Sequence, residues 1–230
     1  MKKIMFNTVV GLEEAVLCKY KDMTRRTENS LLRLDPNETI TKQEPKKRTL
    51  GLSMYGVTCR KGDKCACEYE YYIEITPRYW FGDVVAIAQS YNTVFSRLPE
   101  EERDQFINKV FLEHGVCNHI GLQAWQNKYF VKAELMPRHI EITDVKIEKL
   151  QGISDADCMR EGVRKCQYGY YVEGMRPTNE DQWKYTDKTG THVLFKTPTD
   201  AFAHVIERTC GKTTWKANPF VAAYTFRLLD

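Results

Sequence analysis

The stretch Lys19 to Arg26, K-Y-K-D-M-T-R-R, gathers four basic side chains around one hydroxyl. Lys19, Lys21, Arg25 and Arg26 surround Thr24, directly after a short amphipathic segment. Crowded cations lower one another's affinity for protons, so Lys21 is a candidate base beside the Thr24 hydroxyl. Arg25 and Arg26 are candidates for holding a phosphate or an oxyanion. The competing reading is a solvated helix end, where lysine and arginine offset the helix dipole.

The elements that must position this stretch are a mixture of short strands and helices. Ile4-Met5-Phe6 reads as a buried strand. Thr8 is placed to cap a helix in which Val9, Leu12 and Val16 share one face. Residues 27–50 lack periodicity and read as a loop or insertion. Leu52 to Ile75 reads as a hairpin turning at Lys61-Gly62-Asp63. Val84 to Ala88 is a short continuous apolar run, as in a strand buried on both faces. Pro99 followed by Glu100-Glu101-Glu102 opens a helix with Phe106, Ile107, Val110 and Phe111 on its apolar face, and Gly115 stops it.

Two strands are expected at Tyr129–Glu134 and Ile140–Leu150. In the second the inward positions change parity between Ile142 and Val145, which predicts a bulge near Thr143-Asp144. Ser154 and Asp157 resemble a capping box for a short helix that ends at Glu161-Gly162. Residues 166–196 suggest a further hairpin. Thr197-Pro198 starts a helix carrying Phe202, Val205 and Ile206. The chain closes on a strand in which Phe220, Ala222, Tyr224, Phe226 and Leu228 alternate with Val221, Ala223, Thr225 and Arg227. Long crossover helices are absent, which argues against a doubly wound parallel sheet and for an α+β fold: a small, partly closed β-barrel decorated by short helices.

Composition sets the outer limits. The chain has 230 residues, 42% hydrophobic and 12% aromatic, enough for a real core. A net charge of +3 permits a local basic patch without demanding a nucleic-acid partner. No stretch approaches the roughly 18–20 apolar residues of a membrane span. Eight scattered cysteines in a chain of this length read as reduced thiols, which points to the cytoplasm. Cys59, Cys65 and Cys67 form a C-x5-C-x-C cluster that matches no common zinc site. Gly211-Lys212-Thr213 echoes a P-loop, but Ile206 stands where its first glycine belongs. Neither a metal nor a cofactor is expected.

The order of these motifs resembles one family. K-Y-K-D-M-T-R-R is similar to the G-x-K-x-x-T-x-R signature of the ASCH domain, a relative of the PUA RNA-binding domain, with Lys19 in place of the glycine. Phe6-Asn7-Thr8 precedes it. Gly82-Asp83-Val84-Val85, Met136-Pro137-Arg138, the run Ile140–Val163 and the end Gly211–Val221 resemble longer, phage- or prophage-associated members. The resemblance implies one PUA-like barrel over residues 1–230, with insertions at about 27–76, 92–125 and 166–192. It implies a cleft for RNA, single-stranded nucleic acid or a modified nucleoside around Lys21 and Thr24, edged by Asn7, Arg25, Arg26, Gln89, Arg138 and Trp215. Trp215 is placed either to stack a base or to plug the barrel.

One branch of the family hydrolyses acetylcytidine with a lysine, a threonine and a glutamate. By position these fall on Lys21, Thr24 and Glu161, giving Thr24 as nucleophile, Lys21 as base and Glu161 as the proton-transfer group. Ala88 and Gln89 replace the arginine and glutamate that many members carry after the buried strand. A third reading is a phage accessory protein that binds a host protein without catalysis.

Overall fold

The computed structural model describes residues 1–45, 55–61, 70–176 and 192–229. In chain order the elements are β1 (Lys2–Ile4), α1 (Leu12–Leu17), β2 (Met23–Arg26), β3 (Glu38–Pro45), β4 (Tyr55–Lys61), β5 (Glu70–Ile75), β6 (Val84–Ile87), α2 (Tyr91–Arg97) and α3 (Glu100–His114). There follow α4 (Gln123–Gln126), β7 (His139–Lys149), α5 (Asp155–Arg160), β8 (Val163–Cys166), β9 (Gly169–Val172), α6 (Pro198–Cys210), α7 (Thr214–Ala217) and β10 (Phe220–Leu228). The fold is α+β.

Five strands form a mixed sheet in the order β1-β6-β7-β10-β2, with β1 parallel to β6 and β6 antiparallel to β7. β3, β4 and β5 make an antiparallel meander, and β8 with β9 makes a hairpin. No closed barrel is present among the described residues: β1 and β2 are the ends of the larger sheet. At the start of β2 the Asp22 N–H is taken by the Arg160 carbonyl at 3.1 Å, so the last residue of α5, not a further strand, meets that edge.

The chain divides into two compact units. The first comprises Met1–Phe6, Asp83–Glu141 and Arg227–Asp230, and the second Asn7–Gly82 and Ile142–Phe226. The core of the first is built from Ala86, Tyr91, Val94, Val110, Trp125 and Leu135. Its α3 starts after Pro99 with three acidic residues and ends at Gly115, whose φ of 63° is the left-handed conformation that glycine tolerates. The strand expected at Tyr129–Glu134 is absent. Asn127 Oδ1 accepts the Tyr129 N–H at 3.0 Å, and Lys3 Nζ takes the carbonyls of Tyr129 and Val131 at 2.7 and 2.6 Å. Side chains have claimed the backbone groups a ladder would need, and a short 3-10 turn follows at Ala133–Leu135.

In the second unit Val10, Leu150, Cys158, Val163, Val172, Phe202, Val205 and Val221 make one cluster. Burial along β7 changes parity as expected: Ile140 and Ile142 are buried, then Val145 and Ile147, with Asp144 exposed between them. Two expectations are corrected here. Residues 38–45, read as loop, form β3, because pairing with β4 overrides their polar composition; a register shift falls between Ile40 and Lys42. Gln43 reinforces the strand by bonding both backbone groups of Ile147. The second correction is at α1, where Thr8 is not the cap. Asn7 accepts the Leu12 N–H through its carbonyl at 2.9 Å and the Val10 N–H through Oδ1 at 3.2 Å, and Val9 is exposed. The hairpin at 166–196 begins earlier, at Val163. Residues 62–69, with the expected turn and with Cys65 and Cys67, lie outside the described residues, as do 177–191.

Lys19, just after α1, has φ 63°, a conformation costly for any side chain with a Cβ. Lys19→Gly is expected to raise stability by about 1 kcal/mol, read as a higher urea midpoint with an unchanged slope.

Candidate functional site

β2 has two working faces. Side chains alternate along a strand, so Met23 and Arg25 point one way and Thr24 and Arg26 the other. The pairing with β10 agrees: Arg25 lies opposite Ala223, Thr24 opposite Tyr224 and Arg26 opposite Ala222.

On the Arg25 face stands a buried ion cluster. Lys21, 2% exposed, donates to the Met23 carbonyl at 2.7 Å, the Glu161 carbonyl at 2.8 Å and Glu161 Oε2 at 2.6 Å. An ammonium has three protons, and all three are used. Arg25 Nη1 meets Glu161 Oε1 at 3.2 Å, Nη2 meets Glu148 Oε1 at 2.6 Å and Asp157 Oδ2 at 3.3 Å, and Nε donates to Glu148 Oε1 at 2.8 Å. Lys146 closes on Glu148 Oε2 at 2.7 Å, and Arg160, 3.7 Å from Asp157 Oδ1, extends the cluster toward solvent to Asp22 at 2.9 Å.

Local sequence builds this. Ser154 Oγ accepts the Asp157 N–H and starts α5. α5 then ends on Glu161, and Gly162 takes φ 105°, where an added Cβ would lie 3.7 Å from Lys21 Cδ. That turn delivers both acceptors of Glu161 to Lys21.

Burial pushes the Lys21 ammonium below the ordinary lysine range. The charge and hydrogen bond of Glu161 oppose the shift, and Arg26 and Arg25 add to it as smaller contributions. The crowding of cations expected from the sequence thus acts, but desolvation leads. Burial also works against the Arg25 charge, and Glu161, Glu148 and Asp157 outweigh it, holding the guanidinium above its usual value. Burial raises the neighbouring Cys158 thiol to about 11, which keeps it protonated and inert at neutral pH.

On the Thr24 face Tyr224 is fully buried and donates to Glu28 Oε1. The same hydroxyl accepts the N–H groups of Arg78 at 3.1 Å and Tyr79 at 3.5 Å, and Glu28 Oε2 accepts Arg78 N–H at 2.9 Å. The Tyr79 ring meets the Tyr224 ring edge-on at 5.3 Å. Burial raises the Glu28 carboxyl above the ordinary range, while the Tyr224 hydroxyl, Arg78 and Arg26 pull it back. Burial and the Glu28 charge raise the Tyr224 hydroxyl well above the usual phenol.

The residues singled out by sequence therefore separate. Lys21, Arg25 and Glu161 come together. Thr24 and Arg26 lie on the opposite face of the same strand. Asn7 shapes the start of α1. Trp215 packs edge-on against Phe202 at 6.1 Å, and its carbonyl accepts from Gln151, so it lies against the core cluster. Gln89 and Arg138 belong to the first unit. Gln89 is buried there, its N–H on Met136 Sδ at 3.3 Å, whereas Arg138 is exposed and its carbonyl accepts Ile87 N–H.

Sequence reasoning missed Glu148, Asp157, Glu28, Arg78, Tyr79 and Tyr224. Two signals were available. Tyr224 sits in an apolar strand, where a buried hydroxyl needs a partner. Arg78 opens a run of three aromatic residues between two strands.

Among the described residues no group of three or more histidine, cysteine, aspartate or glutamate side chains is placed to hold a metal ion, and no helix is long and apolar enough to cross a membrane. No protein-family model, curated protein or solved structure matches the chain.

Proposed function

We propose that this protein binds RNA, single-stranded nucleic acid or a modified nucleoside, and that the ligand lies on the Thr24 and Arg26 face of β2. The observation that carries the reading is the meeting of Lys21 and Glu161. These residues stand 140 apart in the chain, the ASCH resemblance pairs them, and they touch at 2.6 Å. Lys19 adds support. It occupies the place of the signature's glycine and holds the φ that glycine favours.

In this reading the Lys21–Glu161–Arg25 cluster is the rigid floor of the site. Its cations are buried and matched by carboxylates, so they hold the strand and α5 together and leave phosphate contact to other groups. Arg26, half-buried beside Thr24, is the phosphate contact. The PUA-like arrangement belongs to the same proposal.

The test is fluorescence anisotropy of a labelled single-stranded RNA across a salt series. The log affinity should fall linearly with log salt, by roughly 0.7 per phosphate contacted, and Arg26→Ala should remove about one contact. Binding that is absent or insensitive to salt would reject the reading.

A second reading rests on the same Lys21–Glu161 contact. A lysine held below its usual range beside a carboxylate suits proton transfer, so the protein would be an amidohydrolase that removes an acyl group from a modified cytidine, with Thr24 attacking. It ranks below binding because strand alternation turns Thr24 away from the face that carries Arg25 and Glu161. Its test is acetate release from acetylcytidine, abolished in Thr24→Val. If neither RNA binding nor release occurs, the accessory-protein reading remains.

A further inference from the structure

Between β5 and β6 the chain reads Arg78-Tyr79-Trp80-Phe81-Gly82. The three adjacent aromatic residues part. Tyr79 is 2% exposed, Trp80 is half-buried and Phe81 is 76% exposed, while Arg78 at the start of the loop is exposed, its guanidinium 5.6 Å from the Tyr79 ring centroid.

The parting follows from how the loop is pinned. At its start the Arg78 N–H is shared between Glu28 and the Tyr224 hydroxyl, and the Tyr79 N–H reaches the same hydroxyl. At its end Gly82, with φ 81°, donates its N–H to the Ile142 carbonyl at 2.8 Å. With both ends fixed and Tyr79 drawn inward, Phe81 is left on the surface. Arg26 lies on the β2 face that Tyr224 shares, close enough to act on Glu28 and Tyr79, and the Arg78 guanidinium stands 5.6 Å from the Tyr79 ring centroid, so two guanidinium groups flank this anchor. A single exposed phenylalanine means little. An exposed ring on a pinned loop whose buried anchor two arginines flank is a surface with a chemistry.

We infer that the Arg78–Phe81 loop is a stacking platform for an unpaired base, with Phe81 against the base and Arg78 and Arg26 on adjoining phosphates. The inference rests on the nucleic-acid reading above and deepens it by naming a single-stranded ligand and the residues that meet it. A nucleotide repeats a flat π-face and an anion at one spacing, which matches an aromatic ring beside cations. A duplex hides its base faces, and an acidic peptide offers charge without the flat face.

The experiment uses three fluorescein-labelled probes: a single-stranded RNA of about 12 nucleotides, within the usual span of such sites, its duplex, and a polyglutamate peptide. Phe81→Ala should weaken single-strand binding about tenfold at every salt concentration and leave the salt slope unchanged. Arg78→Ala should flatten the slope by about one phosphate contact. Both side chains are exposed, and circular dichroism of each variant checks the fold. An unchanged affinity in Phe81→Ala overturns the platform, as does polyglutamate or duplex binding as tight as the single strand. If wild type binds the single strand and Arg26→Ala weakens it while Phe81→Ala does not, the platform fails and the nucleic-acid reading stands. If wild type binds no RNA, both fail.

Discussion

Replacing Glu161 by alanine is expected to lower stability by about 3–5 kcal/mol. The carboxylate is 5% exposed and neutralises two cations at once, Lys21 at 2.6 Å and Arg25 at 3.2 Å. Without it Lys21 keeps two carbonyl acceptors and no counter-charge in a site that already penalises its charge. Arg25 keeps Glu148 and Asp157, so the loss falls mainly on Lys21. A variant that removes both charges, Lys21→Met with Glu161→Leu, should recover part of the loss, because no charge of the pair is left buried alone, although the Met23 and Glu161 carbonyls lose the Lys21 donor. Urea denaturation of wild type, each single variant and the double variant measures the coupling. Additive losses would mean that the pair does not act as a unit.

Tyr224→Phe is expected to cost about 2 kcal/mol, since one hydroxyl serves Glu28 and the N–H groups of Arg78 and Tyr79. It also has a pH signature. The folded state holds the Tyr224 proton above the usual phenol value of 10.0, so the unfolded chain releases that proton first as pH rises. The stability this contributes is therefore fully present below about pH 10 and is lost as pH climbs beyond it. Tyr20, Tyr79 and Tyr91 are raised as well and contribute in the same direction. Tyr224→Phe should thus show lower stability near neutral pH and a shallower alkaline decline than wild type. Parallel pH profiles would show that the hydroxyl does not hold its proton as described. The variant also releases the anchor of the Arg78–Phe81 loop, so its RNA affinity should fall even though Tyr224 itself is buried.

Periodicity made part of this molecule legible. β7 shows its change of parity, and α3 carries an acidic first turn with a terminal glycine; each is a local pattern over a long enough window. β10 was legible as a strand but not as an alternating one, since Phe220 to Tyr224 are all buried. β3 was not legible, because residues 38–45 are polar and their strand conformation depends on pairing with β4 and on Gln43 bridging to Ile147. The strand at Tyr129–Glu134 failed for the opposite reason: Asn127 and Lys3 intercept its backbone groups, and Lys3 lies over a hundred residues away. At the site, Lys21, Thr24 and Glu161 were expected to converge; Lys21 and Glu161 meet, with no local pattern to show it, whereas Thr24 faces the other way. The division of β2 into an Arg25 face and a Thr24 face needed the strand boundaries. Glu28 and Tyr224 are 196 residues apart, and no local signal joins them.

The most direct measurement is the salt dependence of single-stranded RNA binding by wild type and Arg26→Ala, taken side by side. Binding should weaken steadily as salt rises, with a shallower slope in Arg26→Ala because one phosphate contact is gone. Wild-type binding that is absent, or equal slopes for the two proteins, would contradict a nucleic-acid site on the Thr24 and Arg26 face of β2.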